Sequence, residues 1–447
     1  MSEEAEGQDT PPPNAATADA PMEIDVGVRR PWTPFYGFMY LPVGISQGFV
    51  NVTLAYVLRQ SGVSVAAIAG LVSLNILPWT WKVLGGPMLD LALTPRTWNL
   101  LFGLLGAAAL FALGATAGIS AAPPLLSVLT LLSGICSVLS AASVNNIIGT
   151  VEPENERGAI GGYVQAGILG GMGLGGGAGL WLAQHAGGTG PASAVLAAVC
   201  LLCLLPLLSI RAPYRARPEV LRVKTLQLAR TVWAMARSRN GALALLINIL
   251  PMGLGASNQL WSAVAGDWRA SANVVALVTG VLGGLVSIPG SLLGVFLCRR
   301  LHLRGVYLGA SVACALLLAA MAAAPHTPAN FVIFTLASAF TLGTTWGALS
   351  SVTLSCIGYE GAATKAALLG SFANIPLVAC VPLVGWAQSR FGSNVMLLTE
   401  AGVAVASLIV YVAVTRAAEP AARAAVRELD FTPADKAELA RQPQDKI

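Results

Sequence analysis

Asn75, Trp79, Lys82 and Gly86 fall within about 60° of one another at 100° per residue, so a helix through them offers an amide, an indole and an ammonium on one face. A cation inside an apolar run is costly unless it meets water or an acid. Lys82 is therefore a functional candidate, the competing role being a side chain that snorkels to a membrane surface. Tyr36, Tyr40, Gln47 and Asn51 form a second stripe of similar width, polar and aromatic, through another apolar segment. Asn145, Asn146, Gln165, Asn248, Asn258, Gln259 and Trp261 place further hydrogen-bonding groups inside apolar runs. A single such amide serves equally as an interhelical bond worth about 0.6 kcal/mol. Taken together they read as the wall of a polar cavity, and the solute-binding set is Tyr36, Tyr40, Gln47, Asn51, Asn75, Trp79, Lys82, Asn145, Asn146, Gln165, Asn258 and Trp261.

Other chemistries lack their residues. The three histidines, His185, His302 and His326, are isolated in loops, away from any nucleophile or acidic pair that would make a catalytic constellation. The seven cysteines lie in or at the ends of apolar runs, and the Cys200-x-x-Cys203 pair has neither a second pair nor a histidine beside it, so no disulfide framework, metal site or cofactor is expected. The glycines from Gly161 to Gly179 superficially invite a phosphate-loop reading. No strand precedes them and no Lys-Ser/Thr follows, while the spacing Gly167, Gly171, Gly175, Gly179 is that of close helix packing. Carboxylates are nearly missing from the apolar runs; Glu400, in the last one, is the candidate for proton coupling, and Glu152, Glu154, Glu156 and Glu360 fall in the connections.

The elements that must position these groups follow from composition. Of 447 residues 55% are hydrophobic and 11% charged, with a mean hydropathy of +0.70, whereas soluble domains carry about 25% charged residues. A spanning helix takes about 20 apolar residues. Runs of that length occur at roughly 33 to 58, 66 to 92, 97 to 117, 122 to 150, 157 to 184 and 192 to 210, and again at 241 to 264, 272 to 298, 304 to 323, 328 to 357, 361 to 388 and 393 to 416. The predicted fold is an all-α membrane protein of twelve transmembrane helices in two six-helix halves. Its parts are a disordered cytosolic tail (1–31), an N-terminal half (32–210), a basic amphipathic linker (211–240), a C-terminal half (241–416) and a C-terminal tail (417–447). All lysines and arginines except Arg59, Arg269 and Arg390 fall on one side of this plan, which places both termini in the cytoplasm. The net charge of +5 is scattered over short connections and forms no nucleic-acid patch.

The halves echo each other. Ser143-Val144, Gly149, Glu152 and Arg157 recur as Ser351-Val352, Gly358, Glu360 and Lys365, and Leu77-Pro78 as Ile288-Pro289. The stretch from Asn75 to Trp98, NILPWTWKVLGGPMLDLALTPRTW, resembles the signature of the AmpG muropeptide permeases and their relatives within the major facilitator superfamily. Its matching positions are Pro78, Trp79, Thr80, Trp81, Lys82, Pro87 and Asp90, and VEPENERGA from Val151 to Ala159 is similar to that family's acidic loop. The resemblance implies a twelve-span fold with a central solute site. It also implies gating groups in the connections: Asp90 with Arg96, and Glu156 with Arg157. Relatives with this signature carry muropeptides, siderophores or acetyl-CoA. This chain has Val144-Asn145-Asn146 where the permeases carry Asp-Ala-Tyr, which leaves the cargo open.

These readings converge on a secondary transporter of the bacterial inner membrane. It would act as a monomer in lipid and carry a polar small molecule, muropeptide-like or siderophore-like. Acetyl-CoA or another small metabolite is the alternative, weakened because Lys82 is almost the sole cation available to its phosphates. An enzyme embedded in the membrane would need the catalytic groups whose absence is noted above, and a channel would need a charged ring or filter loop that the sequence does not show.

Overall fold

The computed structural model describes residues 32–85, 89, 93–117, 123–152, 157–209, 230–253, 255–357 and 362–428. Among these residues it is helical throughout, and eleven helices are long and apolar enough to cross a membrane. In chain order they are α1 (Phe35–Gln60), α2 (Val65–Leu84), α3 (Pro95–Ala117), α4 (Pro124–Gly149), α5 (Ile160–His185) and α6 (Thr189–Leu207). After α7, a broken run described below, come α8 (Ala272–Arg300), α9 (Leu303–Ala323), α10 (Pro328–Thr353), α11 (Ala367–Phe391) and α12 (Ser393–Arg416). Helices suit this composition because in hydrocarbon every backbone N–H and C=O must be satisfied within its own segment. Successive helices alternate in direction, giving a terminal end, where α1 begins, and a far end, where the α1–α2 and α11–α12 turns lie.

Short turns set the far end. Gly62, Gly187, Gly188 and Gly392 hold positive φ values there, a conformation that costs glycine no Cβ clash. After two of these turns a serine starts the next helix: Ser64 Oγ accepts from the Ala67 N–H at α2, and Ser271 Oγ accepts from the Val274 N–H at α8. The two helices hold the same place in their halves, so the internal repeat extends to the capping chemistry.

Glycine seams bring helices into backbone contact. In the N-terminal half the seam joins α1 to α5: a side chain on Gly44, Gly171 or Gly175 would overlap the facing backbone. In the C-terminal half it joins α8 to α10 instead, through Gly290, Gly294, Gly343 and Gly347. The sequence reading of the α5 glycines as packing residues describes this contact.

The seventh hydrophobic run does not form a continuous span. It is a helix at Arg239–Ile249 followed by short pieces at Ser257–Leu260, Trp261–Val264 and Ala265–Trp268, together called α7. The cause is local. Pro251 disfavours helical backbone at the residue before it, and Leu250 is extended (φ −77°, ψ 130°). Gly253 and Gly255 then take positive φ of 71° and 83°. The restart exposes orphan N–H donors inside the bundle, and Glu400 of α12 accepts two of them, Ala256 N–H at 2.8 Å and Ser257 N–H at 2.7 Å. The first piece packs on α10 and α11, and Trp261–Val264 packs on the far end of α1, so the run passes from one end of the bundle to the other.

Three π-helical stretches, Phe49–Leu54 in α1, Gly173–Ala178 in α5 and Ala276–Leu282 in α8, meet one another where the halves join. Such bulges shift the phase of a helix and concentrate at functional sites. Here the halves touch through Gly177 and Gly280, where a side chain on Gly280 would lie 2.5 Å from the Gly177 backbone. Toward the terminal end of α5 an added Cβ at Gly161 or Gly162 would meet nothing.

Candidate functional site

The predicted residues divide into two groups. At the terminal end of the N-terminal half, Tyr40 of α1 is buried and its hydroxyl donates to Asn145 Oδ1 at 2.8 Å and reaches the Ala141 carbonyl at 3.1 Å, both in α4. One turn earlier the Tyr36 hydroxyl donates to Glu152 Oε1 at 2.8 Å, with both residues buried. Trp79 packs against this cluster, and its Nε1 is buried without an acceptor in the protein. The Lys82 ammonium lies 5.8 Å from the centre of the Trp79 ring, a cation–π arrangement, and faces Gly370 of α11 in the other half. Beside them Asn145 is exposed and Asn146 half-buried, while on α5 Gln165 is exposed.

Local backbone explains how α2 presents Trp79 and Lys82. Pro78 cannot donate a hydrogen bond, Trp81 leaves helical geometry (φ −120°, ψ 19°), and the helix tightens to 3₁₀ over Leu77–Leu84. The 100° spacing assumed from sequence therefore ends at Leu77. Asn75, before that change, is buried against Gly134 of α4, away from Trp79 and Lys82 in role.

The second group lies nearer the far end. Asn51, in the π stretch of α1, donates from Nδ2 to Gln259 Oε1 of α7 at 2.5 Å, a bond between the halves. Asn258 donates to Ser338 of α10 at 3.0 Å and accepts from the buried Trp261 indole at 2.7 Å, which stays within the C-terminal half. Gln47 is half-buried between the two groups. The structure thus brings Tyr36, Tyr40, Trp79, Lys82 and Asn145 together, and separates them from Asn51, Asn258 and Trp261.

Of the predicted gating residues, Asp90 and Glu156 lie outside the described residues, as does the side chain of Arg157, whose helix leads into α5. Arg96 is exposed in the first turn of α3. Glu400, read from sequence as the candidate for proton coupling, is buried and tied to the α7 break. Two other acids were not foreseen as structural partners. Glu152 is assigned to a connection by the sequence reading but is buried on Tyr36. Asp267, at the end of α7, accepts from Gln388 Nε2 at 3.2 Å and from the Ser393 hydroxyl, fastening the far ends of α7, α11 and α12. Its signal in the sequence was an acid beside the aromatic Trp268 in a predicted loop. Among the described residues no group of three His, Cys, Asp or Glu could hold a metal, and Cys136, Cys200, Cys203, Cys298, Cys314 and Cys380 are free.

Comparison with known proteins places this geometry. The family model "Major Facilitator Superfamily" matches residues 36–366. No curated protein matches the chain. Among solved structures, the nucleoside transporter NupG superposes with a TM-score of 0.66 at 12% identity, covering 85% of this chain and 98% of that one. A bacterial homolog of the human lysosomal transporter Spinster, in an inward-facing and occupied conformation, gives 0.65 at 15%, covering 86% and 96%. The xylose transporter XylE from E. coli, in a partially occluded inward open conformation, gives 0.61 at 13%, covering 85% and 98%. At these identities the likeness concerns the fold.

Proposed function

Since the chain belongs to the Major Facilitator Superfamily and has the fold of its membrane transporters, we propose that it is a secondary active transporter with its solute site at the Tyr40–Asn145 and Trp79–Lys82 cluster. Alternating access moves the solute between the ends of the bundle, with the terminal end facing the cytoplasm of a bacterial inner membrane, as the basic residues suggest. The broken α7 is read as the twelfth span of the sequence plan.

The observation that carries this reading is the grouping of an ammonium, an indole N–H and an amide toward the terminal end of the bundle. These groups suit a polar solute with anionic and hydrogen-bonding parts. A muropeptide-like or siderophore-like solute, as the resemblance of the α2 segment implies, fits one cation better than a polyphosphate such as acetyl-CoA does. Two of the named neighbours are a nucleoside transporter and a xylose transporter, and a small metabolite of that kind is the second reading.

Uptake into proteoliposomes, over a panel of muropeptides, ferric siderophores, nucleosides and sugars, with and without a pH gradient, tests it. Lys82→Met is expected to abolish uptake of the accepted solute while leaving size-exclusion behaviour unchanged. Full activity of Lys82→Met would remove the site from this cluster, and uptake unchanged by collapse of the gradient would remove proton coupling.

A further inference from the structure

The bundle has a cavity of about 680 Å³ that is separate from the polar cluster. It is a groove along α2 at the far end, walled by Ala67, Gly70, Leu71 and Leu74 of α2, Leu126 of α4 and Val378 of α11. On α2, Val65, Ile68, Ala69, Val72 and Ile76 are buried in the bundle, and at 100° per residue Ala67, Gly70 and Leu74 lie on the opposite side. The groove therefore opens away from the interior, toward the hydrocarbon that surrounds a spanning helix.

Its floor is built for a thin apolar occupant. A Cβ added to Gly70 would meet no atom within 4 Å, so the space over the helix backbone is open. The groove runs from Gly62 to Leu77, which is about 20 Å at 1.5 Å per residue. One leaflet of a hydrocarbon core about 30 Å thick is slightly shorter. The wall holds no unpaired backbone carbonyl at its crossing point: Pro382 has no N–H for the Val378 carbonyl, and the Ser73 hydroxyl donates to that carbonyl at 3.2 Å. An acyl chain in the groove would face no unsatisfied polar group there.

Two of the three basic residues that sequence analysis assigned to the far end are chain neighbours of its rim. Arg59 stands between the lining residues Leu58 and Ser61. Arg390 follows Ser389, whose hydroxyl accepts from the Ala66 N–H beside Ala67 at 2.9 Å. We propose that the groove binds one acyl chain of an anionic phospholipid from the far leaflet, with its phosphate facing Arg59 and Arg390.

The test uses the full-length transporter in nanodiscs containing a phosphatidylglycerol or a phosphatidylcholine with a photoreactive acyl chain, and adducts are mapped by peptide mass spectrometry. Adducts should concentrate on residues 67–77 and 378–382, with phosphatidylglycerol favoured. Gly70→Trp, which fills open space, should abolish them; Gly70→Leu serves the same purpose should the larger side chain disturb size-exclusion behaviour. Replacing Arg59 and Arg390 by glutamine should lower the preference for phosphatidylglycerol by about fivefold per arginine. Adducts spread evenly over lipid-facing helices, or unchanged by filling Gly70, would overturn the site. Equal labelling by the two lipids in the unaltered protein would overturn the anionic headgroup.

Discussion

The two ends of the bundle join the halves by different chemistry. At the far end the contacts are glycine backbone against glycine backbone, as at Gly177 and Gly280, and an amide pair, Asn51 with Gln259, that is bonded across the seam. At the terminal end the polar groups Tyr36, Tyr40, Asn145 and Glu152 bond within the N-terminal half, and α2 reaches α11 through Lys82 at Gly370 and the Val83 N–H on Ser371 at 3.3 Å. Close backbone contact with an amide pair bonded across it makes a seal. Polar side chains left on one wall make a binding surface. This difference is the ground on which the far end is proposed for closure and the terminal end for solute.

The comparison breaks most severely if the far piece of α7, which carries Gln259, is unfastened. Glu400→Ala leaves the Ala256 and Ser257 N–H groups without their acceptor, at about 1–3 kcal/mol each, and should lower the thermal midpoint in detergent clearly more than Glu400→Gln, which keeps an acceptor oxygen. Equal midpoints for the two variants would show that the carboxylate does not fasten the break. Next in size, Gly280→Leu overpacks the seal by about 1–3 kcal/mol and should shift the population toward an open far end by about 5- to 150-fold, read by spin-label distances between the far ends of α5 and α8. No change in those distances would place closure elsewhere. The smallest effect belongs to Asn51→Ala, which removes one interhelical bond of about 0.6 kcal/mol and should move the same distances in the same direction by a factor near three. A shift larger than that of Gly280→Leu would reverse the ranking of glycine contact over amide pairing.

Much of the fold was legible because hydrophobic length and charge placement are local quantities. Eleven of the twelve predicted runs form helices long and apolar enough to span a membrane, whereas the seventh, predicted as one run, is broken at Pro251, Gly253 and Gly255. The site was legible in residue type and less so in arrangement. A helical wheel put Tyr36, Tyr40 and Asn51 on one stripe, but the π stretch that begins at Phe49 contains Asn51, and Asn51 turns to α7 while the tyrosines turn to α4. Likewise Asn75 and Lys82 were grouped by a 100° period that the 3₁₀ turn after Leu77 does not keep. Glu400 was undervalued because its partners are backbone donors created by a break 143 residues away in the chain. Pattern reading cannot see a partner that exists only after another helix has failed to continue.

The break in α7 also changes how the C-terminal half can move. A continuous helix transmits rotation along its whole length, whereas α7 is two levers joined by an extended linker at Leu250 and two left-handed glycines. The first lever rides with α10 and α11. The second is pinned to α12 by Glu400 and, through Asp267, to the far ends of α11 and α12. Opening at the terminal end can therefore proceed by swinging the first lever while the second, with Gln259 in the seal, stays still, so that one end of the transporter can unlock without loosening the other.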